Sequence, residues 1–390
     1  MTGAETLNAA LEPRPTFRGP LGNQRPRLVV HFGPDPWLLL GVAALVGLGA
    51  IMVFNVSYFH GQEMGDAMHF FRKHVTSIVL GIVVAAVTSR IPSERLRQVA
   101  YPLLAVAVVL LIAVLIPGLG VKRSGAQRWF SLGLLSFQPT EVAKFAVVLY
   151  LAASLVRKGE RVRNFKFGVL PHCVVVGLVA GLSLLEPDFG TAALVTGLLA
   201  MMLYVGGARL LHLALLGSVA LPALVWVVVM EPYRLARVMT FLDYTKDPQG
   251  MGFQLLQSLI SFGSGGVSGV GLGQSEQKMF FLPAAHTDFI FSVIGEEFGL
   301  VGAGLVVALF VVVGARGLRI AARHPDPFAS LLAFGTTVLI VLQGALNIGV
   351  VLGCLPTKGL ALPFISYGGS AMMIVLAEVG VLLALAREAG

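Results

Sequence analysis

Apolar runs long enough to cross a bilayer recur about ten times in this chain, and that repetition restricts it to a helical membrane bundle. They lie near 37–57, 75–91, 99–117, 140–155, 168–185, 191–206, 211–230, 288–314, 329–352 and 369–386. In hydrocarbon the backbone must satisfy its own hydrogen bonds, and a helix does so within one segment. Composition agrees, because charged residues make up only 12% of the chain, where a soluble domain carries about 25%. The sequence therefore predicts an all-α polytopic membrane protein of about ten transmembrane helices. No strong internal repeat is present, which counts against an inverted-repeat transporter.

Orientation follows from the basic residues. Of the 28 Lys and Arg, 17 fall on one set of segments: the N-terminal arginines, Arg90 to Arg97, Arg157 to Lys166, Arg209, Arg316 to Arg323 and Arg387. Ten fall on the opposite loops, and Lys144 lies inside a span. The positive-inside rule then puts both termini in the cytoplasm. Residues 1–35, polar and Pro-rich, read as a disordered cytoplasmic tail without a signal peptide. Residues 36–390 read as a single transmembrane domain whose long outer loop, 231–287, precedes the eighth helix. The net charge of +8 fits cytoplasmic loops, and nucleic acid is not an expected partner. Cys173 and Cys354 lie far apart in apolar segments and are expected to be packing residues, neither paired nor metal-bound.

The run near 288–314 has Asp288 within its first turn and carries Glu296 and Glu297 two turns later. An acid at mid-membrane costs roughly 2.5–3.5 kcal/mol on insertion scales, so such residues persist only where they face a cavity or a partner. Asp288 is accordingly the expected centre of the chemistry. His286, two residues earlier, is expected to hydrogen-bond at a helix end.

Further polar clusters stand at the outer ends of the spans. Arg128 and Trp129 precede Gln138-Pro139-Thr140-Glu141 and Lys144, with Pro139 suited to start a helix. Glu141 and Lys144, three apart, share a helix face. They form either a structural ion pair or, with Arg128, a surface for a phosphate-bearing ligand. In Glu186-Pro187-Asp188, Asp188 suits a helix cap and Glu186 a cavity wall, and ligand spacing for a metal is lacking. Arg234, Arg237 and Lys278 in the long loop suit either phosphate or anionic lipid head groups. The glycines of 263–273 lack the Lys-Ser pair of a nucleotide loop and are expected to let the chain fold closely over the membrane surface. Ser366 has no histidine beside it to act as a base, which argues against a serine nucleophile.

Four of these stretches, QPTEVAK at 138–144, EPDFG at 186–190, LPAAHTDFIF at 282–291 and LPFISYGGS at 362–370, together resemble the SEDS family (shape, elongation, division and sporulation). Its members polymerise peptidoglycan glycan strands, and the resemblance covers about 35–388. GQSEQKMFFLP at 273–283, IGEEFG at 294–299 and LPTKGL at 355–360 look like the division-type branch. Thr140, Ala371, Ser124 and Gln127 depart from its usual pattern, and Gln127 leans toward elongation types. The resemblance implies a ten-helix fold with Asp288 as catalytic aspartate. It also marks Trp129, Glu141, Lys144 and the 234–278 loop as functionally important. The implied substrate is lipid II, an undecaprenyl diphosphate-linked disaccharide peptide. The implied partners are a class B penicillin-binding protein and other division proteins at the septum of the bacterial inner membrane.

Such chemistry needs a general base, assigned to Asp288, and cations for the leaving diphosphate. Candidates to hold substrate are Arg128, Trp129, Glu141, Lys144, Glu186, Arg234, Arg237 and Lys278. Magnesium or manganese could assist at the diphosphate, though no dedicated metal site is evident. The same residues could serve a lipid II flippase, or a non-catalytic scaffold for the penicillin-binding protein.

Overall fold

The computed structural model describes residues 35–123, 126–132, 135–243, 252–276, 286–357 and 359–389. The expected tail, apart from Asp35, and Lys278 lie outside the described residues. Each expected span meets a helix: α1 (Pro36–Glu63), α2 (His69–Thr88), α3 (Ser93–Leu115), α4 (Pro139–Lys158), α5 (Leu170–Leu185), α6 (Phe189–Val205) and α7 (Leu210–Val229). Two shorter segments, α8 (Pro232–Leu242) and α9 (Phe253–Gly265), lie in the long loop. The last spans are α10 (Ile290–Arg323), α11 (Pro327–Val351) and α12 (Gly369–Ala389). Among the described residues nine helices are long and apolar enough to cross a membrane, and α6 is a shorter apolar helix.

Local chemistry sets the helix ends. Pro139 occupies the first position of α4, where its missing N–H leaves no bond unmade. Asp188 caps α6, accepting from Thr191 N at 3.0 Å. Asp35 caps α1 through Trp37 N and Leu38 N, and its carboxylate also grips the Arg316 guanidinium of α10 at 2.6–3.0 Å. The C-terminal end of α3 does not lead into plain loop. Val121–Arg123 (β1), Ala126–Leu132 (β2) and Leu135–Phe137 (β3) form a small antiparallel sheet with Phe130 opposite Phe137. The span periodicity gave no sign of it, because the strands lie in a connection between spans.

The bundle is centred on α4 and α12, whose most apolar windows are 78% and 72% buried. In contrast α7 buries only His212 and sits at the rim, touching α6 and α8. Tight packing of α2 on α12, of α3 on α4, and of α10 on α1 and α11 completes the frame.

At Gly299 α10 is broken, with φ 63° and ψ −159°. The carbonyls of Glu296 and Glu297 would, in an unbroken helix, accept from the N–H groups of Leu300 and Val301. Instead they accept from Val270 N and Gly271 N, both at 3.0 Å. Leu300 N and Val301 N turn to Gly266 O at 2.9 Å and Val267 O at 3.2 Å. The glycine-rich segment thus enters the helix's own hydrogen-bond ladder, a closer union than the expected fold over the surface, and these four backbone groups keep partners within the protein. Only glycine permits this approach: a Cβ on Gly269, whose φ is +80°, would collide with Glu297 O.

Candidate functional site

Asp288 lies in a turn at 286–289 just ahead of α10, part-buried at the mouth of the bundle. Three consecutive carbonyls of that turn are pinned. His286 O accepts from Tyr367 N at 3.0 Å, Thr287 O from Ser366 Oγ at 2.6 Å, and Asp288 O from Asn347 Nδ2 at 2.8 Å. The Phe70 ring of α2 stands 5.3 Å from His286 and 5.5 Å from Tyr367, so α2 braces the same turn. Gly359 leaves room for the carboxylate, since a Cβ there would stand 3.1 Å from Asp288 Oδ2. Burial pushes the Asp288 carboxyl up to about 6; Arg128 pulls against the rise, Asp188 adds to it, and Arg237 opposes it.

Arg128 on β2 reaches the turn before α6, where its Nε donates to Glu186 O at 2.6 Å and its Nη2 to Pro187 O. Glu186 is fully buried, and neither carboxyl oxygen has a hydrogen-bond partner among the described residues. Burial therefore pushes its carboxyl up to about 8, with the charge of Asp188 adding to the effect and Arg128 opposing it. Arg237 of α8 donates to Thr357 O at 3.3 Å, which links the long loop to the segment that carries Gly359. Trp129 is half-buried on β2, opposite Val121. Asp288, Arg128, Arg237, Glu186 and Asp188 thus form one electrostatic site.

The other candidates among the described residues bond within the protein. Arg234 donates to Val227 O and Leu184 O at 3.2 and 3.3 Å, closing the ends of α7 and α5. Lys144 is 2% exposed inside the bundle, with its Nζ on Glu141 Oε1 at 2.9 Å and Gln343 Oε1 at 2.6 Å. Glu296 and Glu297 hold structure together. Glu296 accepts from Ser275 Oγ at 2.5 Å and Glu276 N at 3.2 Å, and Glu297 accepts from Asn55 of α1 at 2.5 Å. Ser366 is engaged with Thr287 O and Leu362 N and is no nucleophile here.

Gln343 and Asn347 were not singled out in the sequence, although both are amides in a membrane-length helix. The cost argument that found Asp288 would have found them too. The same holds for Glu378 of α12, which is 4% exposed and lines a cavity of about 20 Å³ with Glu141, Gln343 and Ser366. As for a divalent cation, Asp188 is committed to its cap and the oxygens of Glu186 are sealed from solvent. That pair does not fit a metal.

Fold and site together define a polytopic helical membrane protein with a charged, aspartate-centred site at the mouth of its bundle. Over residues 36–390 the chain matches the FtsW/RodA/SpoVE family of cell cycle proteins, and it belongs to that family. It is 43% identical over 350 residues to the probable peptidoglycan glycosyltransferase FtsW of Trichlorobacter lovleyi, covering 90% of this chain and 92% of that one. To the protein of the same description from Pseudomonas fluorescens it is 42% identical over 355 residues, covering 90% and 87%. Among solved structures, the rod shape determining protein RodA of Thermus thermophilus aligns with TM-score 0.68 and 29% identity, covering 91% of this chain and 97% of that one. A chain from a study of "structural coordination of polymerization and crosslinking by a peptidoglycan synthase complex" aligns with TM-score 0.75 and 32% identity, covering 91% and 98%.

Proposed function

We propose that this chain is a division-type peptidoglycan glycosyltransferase that polymerises lipid II, with Asp288 as general base. One observation carries the reading. A carboxylate whose pKa is raised to about 6 sits on a pinned turn at the bundle mouth, within the fields of two guanidinium groups. A base poised near the working pH is the most effective kind, and such a base contributes about 10²–10⁴-fold. In the reaction Asp288 takes the proton of a sugar 4-hydroxyl as that oxygen bonds to the anomeric carbon of a second lipid II. The bond from that carbon to the diphosphate breaks, and its electron pair leaves on the diphosphate oxygen. Arg128 and Arg237 face that charge as it develops. A single displacement inverts the centre, turning an α-linked donor into a β-linkage.

The site face would be extracytoplasmic and both termini cytoplasmic, which the 17-to-10 division of basic residues supports. The partner would be a class B penicillin-binding protein. Its membrane helix would find an apolar face on α10, where Leu300, Val301 and Leu305 are exposed and a Cβ on Gly304 meets nothing within 4 Å. Purified protein and partner, given labelled lipid II in detergent, should yield glycan polymer. Lipid translocation confined to sealed vesicles would replace the enzyme with a flippase, and neither activity would leave a scaffold.

A further inference from the structure

We infer that Gln343 and Asn347 are positioning residues that connect the buried Lys144 cluster to the backbone of Asp288. The inference rests on the proposed role of Asp288 and says how that carboxylate is held in place. Lys144 Nζ donates to Gln343 Oε1 at 2.6 Å, and Gln343 Nε2 donates to Ala361 O at 3.0 Å. One residue earlier, Leu360 O accepts from Asn347 Nδ2 at 2.6 Å, and the same nitrogen donates to Asp288 O at 2.8 Å. One turn of α11 separates Gln343 from Asn347, so both amides present to the same side. The result is an unbroken chain of contacts from the centre of the bundle to the turn at its mouth.

Two features show that these amides are kept for what they donate. Asn347 is 1% exposed and its Oδ1 has no hydrogen-bond partner among the described residues, a standing penalty that an apolar residue would avoid. Its two amide hydrogens instead join Leu360 and Asp288, which belong to segments brought together only by the fold. Gln343 uses both ends of its amide, accepting from a charge and donating to a carbonyl. Lys144 in turn is shared among acids, paired with Glu141 and close to the cavity that Glu378 lines. Lys144 and Glu141, left open by the sequence between an ion pair and a ligand contact, join this chain through Gln343. A general base displaced by about 1 Å can lose 10²-fold in rate, so the chain has a kinetic consequence.

The test uses full-length protein with its partner, carrying Asn347→Leu or Gln343→Glu. Leucine matches asparagine in size and removes both donors. Glutamate keeps the acceptor facing Lys144 and, ionised, cannot donate to Ala361 O. Two readouts are taken: lipid II polymerisation kinetics, and hydrogen exchange in peptides covering 286–292, 359–366 and 139–158. In both variants kcat should fall about 10²-fold with KM unchanged. Exchange should quicken in the first two peptides and stay as in the parent in the third. Unchanged exchange at 286–292, a change confined to KM, or faster exchange across all three peptides would each overturn the inference, the last by showing a merely structural role. Should the unsubstituted protein make no polymer, the enzymatic reading fails, and the exchange pattern still decides the positioning chain.

Discussion

Gly299 and Gly269 close on each other across the break in α10: a Cβ on Gly299 would collide with Gly269 N and stand 2.5 Å from Val267 O. The φ of 63° with ψ of −159° at Gly299 is open to glycine almost alone, and other residues forced there are strained by about 1–3 kcal/mol. Gly299→Ala should therefore lower the melting temperature and loosen the 265–271 segment. Gly304→Ala is the control, because a Cβ there meets nothing within 4 Å in ordinary helix. It should leave stability unchanged or raise it by up to about 1 kcal/mol. Equal melting temperatures for the two variants would show that the loop does not depend on this contact.

Glu186 gives a stability test with a definite sign. Its carboxyl is raised to about 8 in the fold, while an unperturbed glutamate titrates near 4.3. Between those values the unfolded chain has released a proton that the folded chain still holds, so this group lowers stability as pH rises through the window. Glu186→Gln keeps the shape without the titration. The variant should match the parent near pH 4 and melt at a higher temperature at pH 8, as differential scanning fluorimetry would show. A melting difference that does not vary with pH would mean that Glu186 is ionised in the fold.

What the sequence made legible was local. Pro139 and Asp188 mark helix starts through their own chemistry, and Asp288 betrays itself by standing against an apolar run. Partners distant in sequence stayed hidden. Glu297 finds Asn55 242 positions away and Lys144 finds Gln343 199 away, so the cost of each buried charge was visible but its remedy was not. The sequence therefore weighted Glu296 and Glu297 toward function and left Lys144 open between an ion pair and a ligand contact, whereas the fold gives all three bonding partners within the protein. The glycines of 263–273 were equally opaque, since their purpose lies in a helix break that no periodicity announces.

The cysteines supply a topological reporter. Cys354, expected among packing residues, is exposed in the loop after α11 on the same face as Asp288, while Cys173 is half-buried. If that face is extracytoplasmic, an impermeant maleimide should label intact cells making the native chain and should fail with Cys354→Ala. Glu160→Cys, added to that background at an exposed site in the opposite basic loop, should react only after permeabilisation. The reverse pattern would invert the topology and put the site on the wrong side for a cell-wall substrate.

Asp288→Asn separates chemistry from architecture, because Asn347 holds residue 288 through its backbone carbonyl and the substitution leaves that bond intact. The variant should fold, retain its melting temperature and bind lipid II, yet polymerise about two to four orders of magnitude more slowly. In the unsubstituted protein the base must be ionised to act. With its carboxyl raised to about 6, kcat should fall as pH drops below that value, and this acid limb should vanish from the residual rate of the variant. Asp288→Glu is less decisive, since its extra methylene would press toward the backbone at Gly359. Near-normal polymerisation by Asp288→Asn would end the general-base assignment. The search would then move to Glu141, whose side chain is 12% exposed, before Glu186, whose oxygens are sealed inside the fold.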